Sequence, residues 1–337
     1  MSLRIKWESG VLIEHKDTKI ILDPYSRSLN HRAALVTHAH LDHSHAFKVN
    51  HILKFSSEET GELVALDGIS RIDRWRPIRE GERITIDDIE VTPHSSGHVL
   101  GSYEFEIITP EGTILFTGDL NTREHRTVRP AEPVQCDVLI IESTFGSPDF
   151  VFPPDETIAK DIVDWASKVL SAGKIPVFQA DSLGNAQEVI RVFNENTTIP
   201  IVSHRRISRV NRVYEMHGYR MEYIDMEDER AHELISNRNA VIVAPKRLDL
   251  SFRTDYVSAL VSGWALKFRR KSFPLSDHAD FPNLMEFIGR CRPKIVLTYH
   301  GGRHNSILAK YVEKKLKIRA YPIDLIPTRF QSKISYF

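Results

Sequence analysis

The chain has 337 residues, 41% of them hydrophobic and 27% charged, enough to bury the core of one large or two intimate soluble domains without staples. Its 45 basic and 45 acidic residues cancel to a formal net charge of +0, which excludes a global polycation and leaves nucleic-acid binding to local patches. Cys136 and Cys291, far apart and in no CxxC pattern, exclude a disulfide framework or a cysteine-based zinc site; no apolar run suits a signal peptide or a membrane span, so a cytoplasmic protein with no membrane association is expected.

Short strands are predicted first, at Leu3 to Trp7, Val11 to His15 and Lys19 to Leu22, with turns at Ser9-Gly10 and Asp17-Thr18. Ala33 to Val36 reads as a buried strand that runs directly into a histidine cluster. Further strands are expected at Glu90 to Thr92, Ser102 to Ile108, Thr113 to Thr117 and Val138 to Ile141. After Pro153-Pro154 the texture changes. Asp155 to Ser171 carries apolar residues at helical spacing and stops before Gly173. Strands at Ile175 to Phe178, Ile199 to Val202 and Ala240 to Ala244 alternate with helices at Asn185 to Asn194 and Ser208 to His217. That alternation predicts a parallel βαβ unit. Ile295 to Tyr299 then reads as a strand and Ser306 to Leu316 as a helix, so the first domain is completed after an insertion.

The chemistry concentrates in Thr37-His38-Ala39-His40-Leu41-Asp42-His43, an HxHxDH pattern after a strand. Imidazole and carboxylate are zinc ligands, and a tight turn can aim several at adjacent ions. Three histidines at fixed places arise by chance only about 0.04 times in a chain of this composition. Three more groups end strands or sit between them: His98 in Ser96-Gly97-His98, Asp119 in Thr117-Gly118-Asp119, and His300 before Gly301-Gly302. A carboxylate such as Asp119 can bridge two ions. A lone histidine or aspartate at a strand end is usually just solvated, but four such elements in order are not explained that way.

The order HxHxDH, His98, Asp119, His300 resembles the metallo-β-lactamase fold superfamily, and Asp23 in Leu22-Asp23-Pro24 matches the aspartate that orients a ligand histidine there. Within it the chain is similar to the β-CASP nucleases, on Glu142 in Ile141-Glu142-Ser143-Thr144-Phe145-Gly146, His278 in Ser276-Asp277-His278-Ala279-Asp280, His300 in Tyr299-His300-Gly301, and the segments Gly97 to Ser102 and Ser262-Gly263-Trp264. The resemblance implies an α/β fold: an αββα sandwich formed by residues 1–147 and 269–337, with a β-CASP domain inserted at 148–268. It implies two zinc ions, with manganese as the alternative. One ion would take His38, His40, His98 and Asp119; the other Asp42, His43, Asp119 and His300. The catalytic set it implies is His278, Glu142 and Asp42. His278 is the expected general acid for a poor alkoxide leaving group, and Glu142 orients it and favours its protonated form.

Local basicity lies in His204-Arg205-Arg206 with Arg209 and Arg212, and in Lys267, Arg269, Arg270 and Lys271 interleaved with Trp264 and Phe268. Cations with aromatics suit a single strand. For the first cluster a solvated helix face paired with acids is an equal expectation. The helix start at Asp181 to Gln187 is a weaker phosphate candidate. The expected partners are single-stranded DNA or RNA, a second copy of the chain as a homodimer, and a DNA ligase or helicase. Leu275 to Asp280, Thr144-Phe145-Gly146 with Pro148, and the compact length look like the ligase-associated exonuclease branch, so a DNA exonuclease is expected ahead of an RNA 3′-end-processing nuclease. A small-molecule thioester or lactone hydrolase accounts for the ligands but not for the insertion, Glu142 or His278. A catalytically silent nucleic-acid-binding scaffold conflicts with every ligand position being filled.

Overall fold

The computed structural model describes residues 3–26, 29–69, 72–250 and 253–325. The chain divides into two units, one of Met1–Glu124, Arg129–Val151 and His278–Phe337, the other of His125–Val128 and Phe152–Asp277. The boundaries expected from the sequence are 147/148 and 268/269.

In the first unit, β1 (Arg4–Trp7), β2 (Val11–His15), β3 (Thr18–Leu22), β4 (Ala33–Leu35) and β5 (Leu53–Ser56) precede the helix α1 (Glu58–Ala65) and β6 (Trp75–Pro77). These six strands form one sheet in sequence order, antiparallel up to β3 and parallel from β3 on. Then come β7 (Ile84–Ile86), β8 (Ile89–Ser95), β9 (Tyr103–Thr109), β10 (Gly112–Phe116) and β11 (Val138–Glu142). In the second unit follow α2 (Asp155–Ser171), β12 (Ile175–Ala180), α3 (Asn185–Asn196), β13 (Ile201–Ser203), α4 (Arg205–Met216), β14 (Ile224–Asp225), α5 (Glu229–Ser236), β15 (Val241–Pro245), β16 (Tyr256–Val261) and β17 (Ser272–Phe273). The chain returns to the first unit with α6 (Phe281–Cys291), β18 (Ile295–Tyr299), α7 (Arg303–Tyr311) and β19 (Arg319–Pro322).

The second sheet of the first unit runs β19-β18-β11-β10-β9-β8-β7. Its inner residues, among them Phe105, Phe116, Ile140 and Leu297, pack against Ile13, Ile20, Leu22 and Leu35 of the first sheet in one core. On its outer face Leu139 and Val296 meet Leu284, Phe287 and Ile288 of α6 and Leu308 of α7. β11 and β18 are therefore apolar on both faces, as central parallel strands covered on both sides must be. With α1 on the first sheet, the layers form the αββα sandwich of the metallo-β-lactamase fold.

The second unit holds an all-parallel sheet in the order β14-β13-β15-β12-β16-β17. Its strand–helix alternation is the βαβ architecture predicted. Helix α4 begins at Arg205, earlier than the predicted Ser208, because His204 caps it by accepting from Arg206 N. α1, α5 and α6 are not among the predicted helices. α1 carries Gly61 mid-helix because the Trp75 ring lies 2.3 Å from where a Cβ would sit. No helix among the described residues is long and apolar enough to cross a membrane.

Candidate metal centre

Strand direction delivers the candidate residues to one edge of the first unit. β10, β11 and β18 are parallel neighbours, so their carboxyl ends carry Asp119, Glu142 and His300 side by side. The β8–β9 connection with His98 lies at the same edge, because β9 runs antiparallel to β10. From the first sheet, the turn after β4 is tied across by Tyr103 N donating to Thr37 O at 2.9 Å. Two glycines let these loops close in. At Gly97 (φ +69°) a Cβ would lie 2.1 Å from Asn121 O, and at Gly301 one would lie 2.2 Å from Ser143 O.

His38 Nε2 lies 3.1 Å from His40 Nδ1 and 3.6 Å from Asp119 Oδ2; His98 Nε2 lies 3.0 Å and 3.6 Å from the same two atoms. A tetrahedral shell with bonds of about 2.1 Å spaces its donors about 3.4 Å apart. Beside this group, His43 Nε2 stands 3.7 Å from Asp42 Oδ2 and 3.5 Å from Asp119 Oδ2, while His300 Nε2 stands 3.4 Å from Asp42 Oδ2 and 3.9 Å from Asp119 Oδ1. Asp119 thus faces both groups. His43 Nε2 and Asp119 Oδ1 are buried with no hydrogen-bond partner among the described residues. Orphans of this kind cost about 1–3 kcal/mol each unless something satisfies them, so the donor set fits divalent cations.

Asp23 sets the tautomers. Its Oδ2 accepts from His43 Nδ1 at 2.8 Å and from Thr37 Oγ1 at 2.7 Å, and Thr37 Oγ1 in turn accepts from His38 Nδ1 at 2.9 Å. Both rings then present Nε2 as a lone-pair donor. Asp23 (φ 44°) and His300 (φ 58°) both adopt left-handed backbone, uncommon outside glycine and held here by the surrounding bonds.

The electrostatics without metal are those of crowded donors. Burial opposes a charged His43, yet the Asp119 and Asp23 carboxylates outweigh it and hold its pKa at about 10. Burial, with His43 and His98 alongside, drives His38 well below the ordinary value. Burial opposes ionisation of Asp119, but His43, His300 and His278 pull its carboxyl well below the usual range. Asp42, 61% exposed at the side chain, opens the group to solvent.

His278 lies beside the cluster. Its Nδ1 is 2.8 Å from Glu142 Oε1 and its Nε2 3.9 Å from Asp119 Oδ2. The fully buried Glu142 carboxylate also accepts from the backbone N of Leu120 at 2.9 Å and of Thr144 at 3.1 Å. Sequence reasoning missed Thr37, whose only signal is that it precedes His38. It also missed Asn305, whose Oδ1 accepts from Ser143 Oγ at 2.5 Å and Gly301 N at 2.8 Å and so ties the Glu142 and His300 loops together.

The basic candidates belong to the second unit. Arg205 and Arg206 open α4, where Arg205 faces Glu227 at 3.7 Å and Arg212 faces Asp225 at 3.5 Å, so acids answer this face. Lys267, Arg269 and Arg270 follow β16 and are exposed. The start of α3 is closed by its own chain: Gly184 N donates to Gln187 Oε1 at 2.8 Å, and Asp181 is paired with Lys246.

Residues 264–322 match a family described as "Zn-dependent metallo-hydrolase RNA specificity domain". The chain is 31% identical over 284 residues to a "Probable DNA ligase" of Opitutus terrae, a match covering 80% of the chain and 27% of that protein. It is 26% identical over 231 residues to an "RNase J-like protein" of Methanocaldococcus jannaschii, covering 61% of the chain and 53% of the relative. The chain thus spans between about a quarter and a half of these relatives. Among solved structures, a protein of unknown function from Enterococcus faecalis V583 aligns with a TM-score of 0.64 at 13% identity, over 89% of this chain and 94% of that one, a likeness of fold.

Proposed function

The chain belongs to the β-CASP group of metal-dependent hydrolases with the metallo-β-lactamase fold, and from that premise we propose that it is a two-zinc nuclease acting on phosphodiester bonds of single-stranded nucleic acid. His38, His40, His98 and Asp119 would hold one ion, and Asp42, His43, Asp119 and His300 the other. Bound there, the ions supply Lewis acidity, which acidifies the attacking water and neutralises charge on the phosphate oxygens. Asp23 keeps the His43 ring in its ligand orientation.

The observation that carries the reading is the His278–Glu142 pair. When water attacks the phosphorus of a phosphodiester, the breaking P–O bond expels an alkoxide, which needs a proton. His278 donates it from Nε2, held toward the cluster while Nδ1 binds the buried Glu142. A hydrolase of thioesters or lactones has less need of that donor.

DNA is the preferred polymer. Sequence like this chain forms about a quarter of a protein named as a probable DNA ligase, which supports an exonuclease that prepares DNA ends for ligation in the cytoplasm. RNA processing is the second reading, favoured by the RNA-specificity description of the matched segment and the RNase J-like relative. Digestion of 5′- and 3′-labelled single-stranded DNA and RNA by the zinc-loaded and manganese-loaded protein tests both. DNA shortened faster than RNA is the expected result; the reverse order favours the second reading.

A further inference from the structure

Residues 263–273 of the second unit contain four cations and no acid. Their fold is pinned locally. Ser262 Oγ accepts from Trp264 N, Phe268 N donates to Ala265 O at 3.2 Å, and Ser272 Oγ donates to Ala265 O at 3.3 Å. The turn buries Gly263 and Ala265. Trp264 is 39% exposed, Leu266 39% and Phe268 46%, so three large apolar side chains in five positions face water. A patch of this composition on a folded surface marks a contact site.

The cations are arranged around the rings. The Arg270 guanidinium lies 5.8 Å from the Phe268 ring centroid, and Lys271 Nζ lies 4.4 Å from that of Phe273. Arg270 also lines a cavity of about 370 Å³, together with Arg247, Asp249, Gln179, Tyr256 and Lys246, the last of these paired with Asp181. One arginine therefore belongs both to an exposed aromatic strip and to a cavity where Arg247 and Arg270 meet a single lining acid among the described residues, Asp249.

We propose that this strip and cavity form a track for single-stranded nucleic acid, with bases stacked on Trp264 and Phe268 and a backbone phosphate held by Arg270 and Arg247. Charge complementarity selects the occupant: a strand offers π-faces and phosphates at alternating places, which an acidic peptide or a second neutral copy of this chain does not. The proposal rests on the phosphodiesterase reading and names how the second unit would hold a polymer of that substrate class.

The test is fluorescence anisotropy of the metal-loaded protein with nuclease-resistant phosphorothioate oligo-dT and with 2′-O-methyl phosphorothioate oligo-U. Trp264→Ala with Phe268→Ala is expected to weaken binding about tenfold or more. Arg247→Gln with Arg270→Gln should weaken it similarly at low salt and reduce the slope of log Kd against log salt by about 2. Arg247 is exposed, so this second pair keeps the test intact if the aromatic pair disturbs folding. Unchanged affinity and slope in folded variants would overturn the track. Hydrolysis of bis(p-nitrophenyl) phosphate by the unaltered protein reads the other claim: its absence, with oligonucleotide binding and its mutational losses intact, sinks the phosphodiesterase reading alone.

Discussion

His278 Nδ1 lies 2.8 Å from Glu142 Oε1, while its Nε2 stands 3.9 Å from the Asp119 carboxylate that faces both donor groups. One imidazole is thus fixed by a buried acid and aimed at the edge of a cluster of metal-ligand type. His278→Ala should lower turnover ~10²-fold or more while both metals stay bound. Metal analysis beside the rate measurement decides this: loss of metal would move His278 into the ligand set. Glu142→Gln should retain metal and lose less turnover than His278→Ala.

Asp23 meets the cluster directly at His43 Nδ1 and indirectly through Thr37, which bonds His38. Asp23→Asn should weaken metal affinity about 10- to 100-fold, as loss of a ligand-orienting carboxylate does. Competition against a zinc chelator measures it. Affinity equal to that of the unaltered protein would show that the His43 ring is held by packing alone.

The HxHxDH run was legible because its spacing is contained in one turn, and the strand before it is short, apolar and unmistakable. Asp119, Glu142 and His300 were legible for a related reason: each ends an apolar strand, and parallel strands bring such ends together. Thr37 and Asn305 were not. Asn305 acts on Ser143 across 162 residues of sequence, and nothing local marks it. α1 was hidden by Gly61, a poor helix former tolerated because the Trp75 ring fills its place. α6 carries a start signal in Asp280 followed by Pro282, but the same residues adjoin the His278 motif, where an acid points equally to site chemistry.

Gly97 tests how tightly the His98 loop is drawn in. Gly97→Ala places a Cβ against Asn121 O in left-handed backbone, so the loop must move. Destabilisation of about 2–4 kcal/mol is expected, with weakened metal binding through displaced His98. Denaturant unfolding with and without chelator checks it, and an unchanged midpoint would refute the close approach.

Glu104 supplies a pH test away from the metal centre. It is 0% exposed on β9, and both carboxylate oxygens have no hydrogen-bond partner among the described residues. Burial, with Glu106 nearby, pushes its pKa well above 4.5. The sign follows: the folded state prefers the protonated acid, so stability present below the unfolded pKa is lost as pH rises toward the folded value. Glu104→Gln should therefore stabilise the protein by about 1–3 kcal/mol at neutral pH and by much less near pH 4.5. Unfolding at the two pH values reads the difference; a gain independent of pH would contradict the buried acid.

The most direct test of the central claim is digestion of labelled single-stranded DNA and RNA by the metal-loaded protein, with His278→Ala run alongside. Cleavage of a single-stranded polymer by the unaltered protein, slowed ~10²-fold or more in the variant, is the predicted result. Two bound metals with both polymers left intact would contradict it.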